Sequence, residues 1–522
     1  MKIITEKEVA NIVTSDSTVA IGGFGAYCCP DQLLEEIAES YRTAHTPSNL
    51  TVVTGIGTGD NTIGSRGLNR LGEEGLIGTL IAAHLANCPK IGKMVGDNLF
   101  PAYVVPLGVM AHLFRAIAGK QPGVLTHVGM NTFADPREEA CCANQKAVDQ
   151  NREIVRYVDL GDTDALLYRS FPLDFCLIRA TYADEDGNLS FIKEALTGLE
   201  LEMATAVHNC GGKVIVQVEQ IVPRGSLPAK EVRIHHSMVD YVLVAKPEYQ
   251  HQGYAAEEYR PELAGQARVA TDAIAELPLD IKKVIARRGA MELKRDMVIN
   301  LGIGIPSCVG PVANEEHIEG TTLSLESGPM GGVPVAGVGF AAAINAEMIA
   351  SLADTFDMYD GGGLDMTCLG AAEIDRFGNV NVSKFNGKCT GPGGFINISQ
   401  TTPEVCFLFQ FTAGKSDIRP EDGKLVIVQD GKPVKFVKDK VQQITFSAEY
   451  AKRIGQKVLY ITERAVFELG EDGLVLTEIA PGVDLQRDIL DQMAFAPRVS
   501  EHLKEMDARL FRPEPMGLVS GA

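Results

Sequence analysis

The 522-residue chain has no excess of basic residues: 48 Lys and Arg stand against 68 Asp and Glu, a formal charge of −20. A nucleic acid or an anionic membrane surface needs a basic footprint, so neither is expected as a partner. A small anionic ligand needs only a local pocket of amides or positive charge and stays possible. The eleven cysteines contain no C-x-x-C. An odd count in a large chain without a secretion signal reads as reduced thiols, hence a cytoplasmic protein. Met1-Lys-Ile-Ile-Thr-Glu-Lys-Glu8 has no apolar h-region, and no window offers 18 apolar residues without charges, so no signal peptide or membrane span is expected. H-E-x-x-H is missing and the ten histidines are scattered, which argues against a metal site. G-x-S-x-G is missing, and with it the serine hydrolase signature. Neither G-x-G-x-x-G nor G-x-x-x-x-G-K-[ST] is complete, so nicotinamide dinucleotide and P-loop readings lack their fingerprint.

What is present is glycine, 53 residues of it, in a chain with 45% hydrophobic and 22% charged residues. A single core rarely grows past roughly 250–300 residues, so two domains are expected. An internal echo supports this. Val19-Ala-Ile-Gly-Gly23-Phe-Gly25 resembles Val298-Ile-Asn-Leu-Gly302-Ile-Gly304, each after a helix-like segment (Glu6 to Val13, Ile281 to Leu293). Both are apolar runs ending in G-x-G, the grammar of a strand and its turn. A second pair follows in the same order: Asp184-Glu-Asp-Gly187-Asn188 and Asp375-Arg-Phe-Gly378-Asn379. One echo is weak; two in order point to a duplicated domain. We expect an N-terminal domain over 1–246, a linker over 247–278 and a C-terminal domain over 279–522. Apolar runs such as Val214-Ile-Val-Gln-Val and Tyr241-Val-Leu-Val suit strands buried on both faces. Their alternation with amphipathic helices (Leu33, Leu34, Ile37 form one stripe) predicts two related open α/β domains. Lys424 to Val437, with Asp430-Gly431 at its middle, predicts an antiparallel hairpin on a type I′ turn.

Glycine lets backbone N–H groups face a ligand with no Cβ in the way, as oxyanion and phosphate sites require. Gly22-Gly-Phe-Gly25, Gly302-Ile-Gly304, Gly361-Gly-Gly363 and Gly391-Pro-Gly-Gly394 are the candidates. Leu323-Ser-Leu-Glu326-Ser-Gly328 ends a strand-like run in a carboxylate and a glycine-rich loop. Ligand sites of open α/β sheets gather at the carboxyl ends of strands. A glutamate there can be a base, a metal ligand or a nucleophile; equally it can be a solvated or capping residue. A thiol nucleophile at Cys28 or Cys29 is the weaker option, because free cysteine is more often an inert small hydrophobe.

From Val19 to Gly517 the chain resembles the family I CoA-transferases, nearest the short-chain propionate and acetate type. The resemblance is carried by Gly22-Gly-Phe-Gly25, Asn300-Leu-Gly-Ile-Gly-Ile-Pro306 and Glu326-Ser-Gly-Pro-Met-Gly-Gly-Val-Pro334. Tyr359-Asp-Gly-Gly-Gly-Leu-Asp365, Gly393-Gly-Phe-Ile-Asn-Ile398 and Glu478-Ile-Ala-Pro-Gly-Val-Asp-Leu-Gln486 add to it. It implies two related α/β domains with the active site between them, and Glu326 as the residue that carries coenzyme A as a glutamyl thioester. It further implies that Gly23, Phe24 and Gly25 face the acyl pocket, and that Gly393 and Gly394 offer backbone amides to an oxyanion. Gly302 and Gly304 are assigned to holding coenzyme A. Coenzyme A is then substrate and covalent adduct, with no permanent cofactor and no metal. The partners are acyl-CoA and short-chain carboxylic acids, and the protein is expected to be a homo-oligomer. Relatives commonly carry glutamine just before the glycine at Gly108; here it is Leu107, which predicts unsubstituted short acids over hydroxy or keto acids. The competing readings are an acyl-CoA hydrolase on the same fold and a non-catalytic CoA sensor.

Overall fold

The computed structural model describes residues 1–61, 64–253, 259–270, 274–335, 339–385 and 387–518. They fall into two compact units. Unit 1 is Met1–Ala267 with two later segments, Ile349–Asp357 and Asn386–Asn397; unit 2 is Arg268–Met348, Met358–Phe385 and Ile398–Ala522. The chain first passes between them at 267/268, so the span expected as a linker divides, 247–267 going with unit 1 and 268–278 with unit 2. No strand occurs among the described residues of that span, only a single turn of 3₁₀ helix at Pro247–Tyr249.

Unit 1 is built on an eight-stranded sheet. In chain order its strands are β1 (Lys2–Ile3), β2 (Thr18–Ile21), β3 (Leu50–Ile56), β4 (Ile77–His84), β5 (Ala102–Val104), β6 (Phe175–Arg179), β7 (Lys213–Val218) and β8 (Tyr241–Val244). Their spatial order is β1-β8-β7-β6-β2-β3-β4-β5, and every pairing is parallel. The central β6 is buried along its whole length, which is why the run Phe175-Cys-Leu-Ile carries no alternation. Helix α1 (Glu6–Ile12) begins with the Glu8 carboxylate turning back to the Thr5 N–H at 2.9 Å. Helix α2 (Asp31–Ala44) buries the expected stripe of Leu33, Leu34 and Ile37. Helices α3 (Leu107–Ala118) and α4 (Glu200–Cys210) also belong to this unit.

Unit 2 repeats the plan. Helix α5 (Ile281–Ala290) is capped by Asp280, which accepts the N–H groups of Lys282 and Lys283. A ten-stranded sheet follows: β9 (Val298–Leu301), β10 (Thr322–Ser324), β11 (Pro329–Met330), β12 (Met348–Ile349), β13 (Met366–Leu369), β14 (Glu404–Leu408), β15 (Lys457–Ile461), β16 (Ala465–Gly470), β17 (Gly473–Ile479) and β18 (Arg498–Glu505). The order is β12-β11-β10-β9-β13-β14-β15-β16-β17-β18. The stretch β10-β9-β13-β14-β15 is parallel, and β16 and β17 extend it antiparallel. Arg288 of α5 meets Glu478 of β17 through two 2.9 Å hydrogen bonds. Both partners are buried, so this piece of the family-like sequence is a staple of the unit.

The two echoes are echoes of structure. β2 and β9 each run from a helix into the matched glycines. The two Asp-x-x-Gly-Asn segments form the same turn. Asp184 accepts the N–H groups of Asp186, Gly187 and Asn188 and the Asn188 side chain. Asp375 accepts the N–H groups of Phe377 and Asn379 and the Asn379 side chain. Each turn joins an antiparallel strand pair that also receives a parallel third strand.

The Asp430-Gly431 hairpin does not form. Lys424–Gln429 pairs with the preceding Asp417–Glu421, through a turn at Asp422 and Gly423, both at positive φ (50° and 79°). That is the I′ conformation, at the neighbouring Asp-Gly. The Asp430 carboxylate is drawn elsewhere, to the buried Arg464 guanidinium at 2.6 and 2.9 Å and the Thr412 hydroxyl at 2.7 Å.

Candidate functional site

In unit 2, β10 ends at Ser324 and the chain turns back through Glu326 and Ser327 into β11. The turn is tight: Gly328 N–H donates to Leu325 C=O at 3.1 Å, and Leu325 N–H to Pro329 C=O at 3.0 Å. The Ser327 hydroxyl ties it to Ala341 C=O at 2.5 Å. Glu326, half-buried, stands at the tip, past the carboxyl end of a parallel strand.

Beneath that turn lies a chain of buried polar groups. The Tyr359 hydroxyl, on helix α6 (Leu352–Asp360), donates to Ser324 Oγ at 2.9 Å and accepts from Asn300 Nδ2 at 3.2 Å. The Thr367 hydroxyl donates to Asn300 Oδ1 at 3.0 Å, and the Ser324 hydroxyl to Ile299 C=O at 3.1 Å. Asn300, Ser324 and Thr367 sit on β9, β10 and β13, so the tyrosine cross-braces two strands under the glutamate and Asn300 carries the chain on to the third. Burial drives the Tyr359 phenol pKa up, and the Glu326 charge adds to the shift; the phenol stays neutral.

Beside β10, β9 ends in Gly302-Ile-Gly304. Gly302 N–H is committed to Cys368 C=O at 2.8 Å, and a Cβ at Gly302 would meet that oxygen at 3.2 Å. Gly304 has φ +87°, with nothing within 4 Å of where a Cβ would stand. Ile303 between them is 53% exposed. Among the described residues the N–H groups of Ile303 and Gly304 have no protein acceptor.

In unit 1 the expected residues gather at the carboxyl edge of β2, β3 and β4. Three of the four amides in the Gly22–Gly25 loop are committed: Gly22 N–H to Leu177 C=O at 2.9 Å, Gly23 N–H to Glu200 Oε1 at 2.9 Å, and Phe24 N–H to Tyr27 C=O at 3.0 Å. Gly59 N–H ties down Gly25 C=O at 2.8 Å. The N–H groups of Gly25 and Ala26 have no protein acceptor among the described residues. Phe24 is buried.

The Gly393–Gly394 pair divides the same way. Gly393 N–H donates to Ala83 C=O at 2.9 Å, so it is spent on the fold and is not the oxyanion donor the resemblance implied. Gly394 N–H has no protein acceptor among the described residues. Gly393 C=O accepts the Leu107 N–H at 2.9 Å. The Leu107 side chain is fully buried, 3.2 Å from the Cβ position of Gly55, a position also faced by Leu199. This places the Leu107 side chain in the core beside β3, which lends no support to its lining an acyl pocket. Next door, Gly108 admits no side chain, since a Cβ would come within 2.4 Å of Asn397 Nδ2 and 2.5 Å of Phe356.

The cysteine alternative loses ground. The Cys28 thiol donates to Leu196 C=O at 3.3 Å, and burial with the nearby Glu194 and Glu200 raises its pKa well above the ordinary value. Burial pushes Cys29 to about 12. Neither supplies a thiolate near neutrality.

Three residues lying beside the expected ones, Tyr359 in unit 2 and Glu200 and His84 in unit 1, escaped sequence reasoning. Tyr359 lay inside a quoted motif with no role. Glu200 opens a helix like many solvated glutamates, yet it is wholly buried. His84 ends β4, 3.7 Å from the Cβ position of Gly393, and burial lowers its pKa to about 4, leaving a neutral imidazole. No spacing in the sequence marks any of the three.

The coenzyme A transferase family profile matches residues 2–245. The chain is 41% identical to caffeate CoA-transferase of Acetobacterium woodii, over 99% of this chain and 98% of the relative. It is 39% identical to acetate CoA-transferase YdiF of Escherichia coli K12, over 99% and 96%. Crystal structures of the Escherichia coli O157:H7 acyl-CoA transferase YdiF, as apoenzyme and as a thioester complex with CoA, superpose with a TM-score of 0.93 at 38% identity, covering 99% of this chain and 97% of that one.

Proposed function

The chain belongs to the coenzyme A transferase family and is a CoA-transferase; on that footing we propose that it moves coenzyme A between a short-chain acyl-CoA and a free carboxylate, with Glu326 as the covalent carrier. The observation that carries the assignment of Glu326 is its position: a carboxylate at the tip of a braced turn, past the end of a parallel strand, beside a loop with two uncommitted amides.

A Glu326 oxygen attacks the thioester carbonyl and expels CoA thiolate, giving a mixed acyl–glutamyl anhydride. The thiolate then attacks the glutamyl carbonyl. The original acid leaves as its carboxylate, and Glu326 holds coenzyme A as a thioester. The acceptor acid runs the two steps in reverse. One hard exchange becomes a pair of easier ones, and the thioester is conserved throughout. A carboxylate is a weak nucleophile, so orientation and donors to the developing oxyanion must supply the rate. The amides of Gly25 and Gly394 are the proposed donors, because their neighbours Gly23 and Gly393 are spent. The loop of Ile303 and Gly304 is the proposed contact for coenzyme A. The anhydride must be shielded from water for transfer to outrun hydrolysis.

Acetate, propionate and butyrate are the proposed acids; the support is likeness to the acetate enzyme, since Leu107 no longer argues for them. The eleven free cysteines, nine of them buried, support a reducing cytoplasmic setting. The homo-oligomer is carried over from the resemblance. The test is incubation with acetyl-, propionyl- and caffeoyl-CoA, without and with acceptor acids, followed by mass analysis of the peptide holding Glu326. A CoA-sized mass gain there is expected. Free thiol accumulating without acceptor would instead make the protein a hydrolase, and binding with no adduct would make it a sensor.

A further inference from the structure

Unit 1 holds a buried carboxyl group that the chemistry above does not use. Glu200 is the first residue of α4 and has no exposed surface. Its Oε1 accepts the Gly23 N–H at 2.9 Å. Its Oε2 is buried and has no hydrogen-bond partner among the described residues. Two glycines are shaped around it. A Cβ on Gly198 would stand 2.1 Å from Oε2, and one on Gly22 would stand 3.1 Å from Oε1. An ionised carboxylate in such a place would carry a charge with one oxygen unsolvated, at severe cost. A carboxylic acid fits, because it carries no charge and still accepts from Gly23.

The surroundings favour the same form. Glu202 follows on the same helix, with Arg115 at 3.4 Å from its carboxylate. Glu194 lies nearby, already paired with Arg179 at 3.1 Å; Arg179 also faces Glu219. The buried thiols of Cys28 and Cys176 lie close enough to couple with Glu200. Thus both cations, Arg115 and Arg179, are occupied by other carboxylates, and the groups left facing Glu200 are acids and thiols. Burial, reinforced by Glu202 and Glu194, raises its pKa to about 8.

We infer that Glu200 is a positioning residue of the acid-binding side of the site: as a neutral acid behind Gly23 it fixes the Gly22–Gly25 loop and keeps that wall free of negative charge. The inference rests on the proposed assignment of that loop to the acyl pocket. A CoA-transferase must admit a carboxylate, which carries a charge, and must stabilise an oxyanion. A carboxylate one hydrogen bond behind the loop would oppose both. Ionisation of Glu200 therefore weakens binding of the acceptor acid. Gln at this position is neutral at every pH and keeps the acceptor oxygen.

The experiment is steady-state kinetics between pH 6.5 and 9.5, together with mass analysis of the Glu326 adduct at each pH. For the wild type we expect KM for acetate to rise about tenfold per pH unit above about 8, with kcat changing far less. Glu200→Gln should flatten that rise while keeping the low-pH KM within a few-fold. Should Glu200→Gln fail to fold, Glu202→Gln removes a charge that holds the Glu200 proton, and should move the inflection to lower pH. A wild-type KM flat across the range, or a rise that persists unchanged in Glu200→Gln or is unmoved in Glu202→Gln, overturns the inference. Absence of the Glu326 adduct in the wild type is a different failure, that of the proposed function, and is seen before any variant is made.

Discussion

Replacing Tyr359 with phenylalanine removes one oxygen atom from the polar chain beneath Glu326. The ring stays, so the transfer term is small and the loss is confined to hydrogen bonds. Those broken include Tyr359 to Ser324 at 2.9 Å and Asn300 to Tyr359 at 3.2 Å. Ser324 keeps its bond to Ile299 C=O, so its oxygen is only under-used. Asn300 Nδ2 suffers more, because it loses its acceptor in a fully buried position. A buried donor left unsatisfied costs about 1–3 kcal/mol, roughly five- to 150-fold in the folding constant. Ser324 lies two residues before Glu326, so slack in the brace is passed directly to the carboxylate. A displacement of about 1 Å can cost roughly 10²-fold in rate. We therefore expect slower formation of the Glu326 adduct with little change in KM for the acyl-CoA. A double-mutant cycle with Ser324→Ala isolates the contact, and a coupling of about 0.5–3 kcal/mol is expected for partners in one network. Zero coupling in urea unfolding, together with wild-type adduct formation in Tyr359→Phe, would refute the brace.

Glu326→Asp keeps the charge but withdraws it by about one bond, and should lose roughly 10²-fold or more in transfer rate; near-wild-type turnover would remove Glu326 as carrier. If the carrier is covalent, double-reciprocal plots for the two substrates should be parallel, and intersecting lines would contradict it. Leu107→Gln places an amide in a slot lined by Gly55 and Leu199, and should cost about 1–3 kcal/mol of stability without altering the ratio of kcat/KM for propionate to that for lactate. A stable variant with a narrowed ratio would return Leu107 to the pocket wall. Stability should also report on Glu200. Its pKa is raised on folding, so between about 4.5 and 8 the native state holds a proton that the unfolded chain releases. Stability from this group falls as pH rises through that window and levels off above it. Glu200→Gln should reduce the slope of unfolding free energy against pH by the contribution of one proton; an unchanged slope counts against a neutral acid at that position.

Much of this protein was legible along the chain, because the information was local. Apolar runs without alternation marked strands covered on both faces. Apolar runs ending in glycine marked β2 and β9, and the two Asp-x-x-Gly-Asn segments marked matching turns, because an aspartate can accept its own downstream amides wherever it stands. Glu326 was visible for the same reason, as a carboxylate at a strand end in a recognisable stretch. What only the tertiary structure decided depends on groups distant in sequence. Ser324, Tyr359 and Asn300 form one chain only after two strands and a helix have packed. Gly393 and Gly394 look alike in sequence, yet one amide is consumed by Ala83 and the other is not. Leu107 turned into the core because Gly55 left room for it. Asp430 abandoned its local turn for Arg464, since a buried guanidinium demands a partner more strongly than a hairpin demands that particular Asp-Gly. Glu200 is neutral because of where folding buried it, and the identity of a residue does not state how much water its environment will contain.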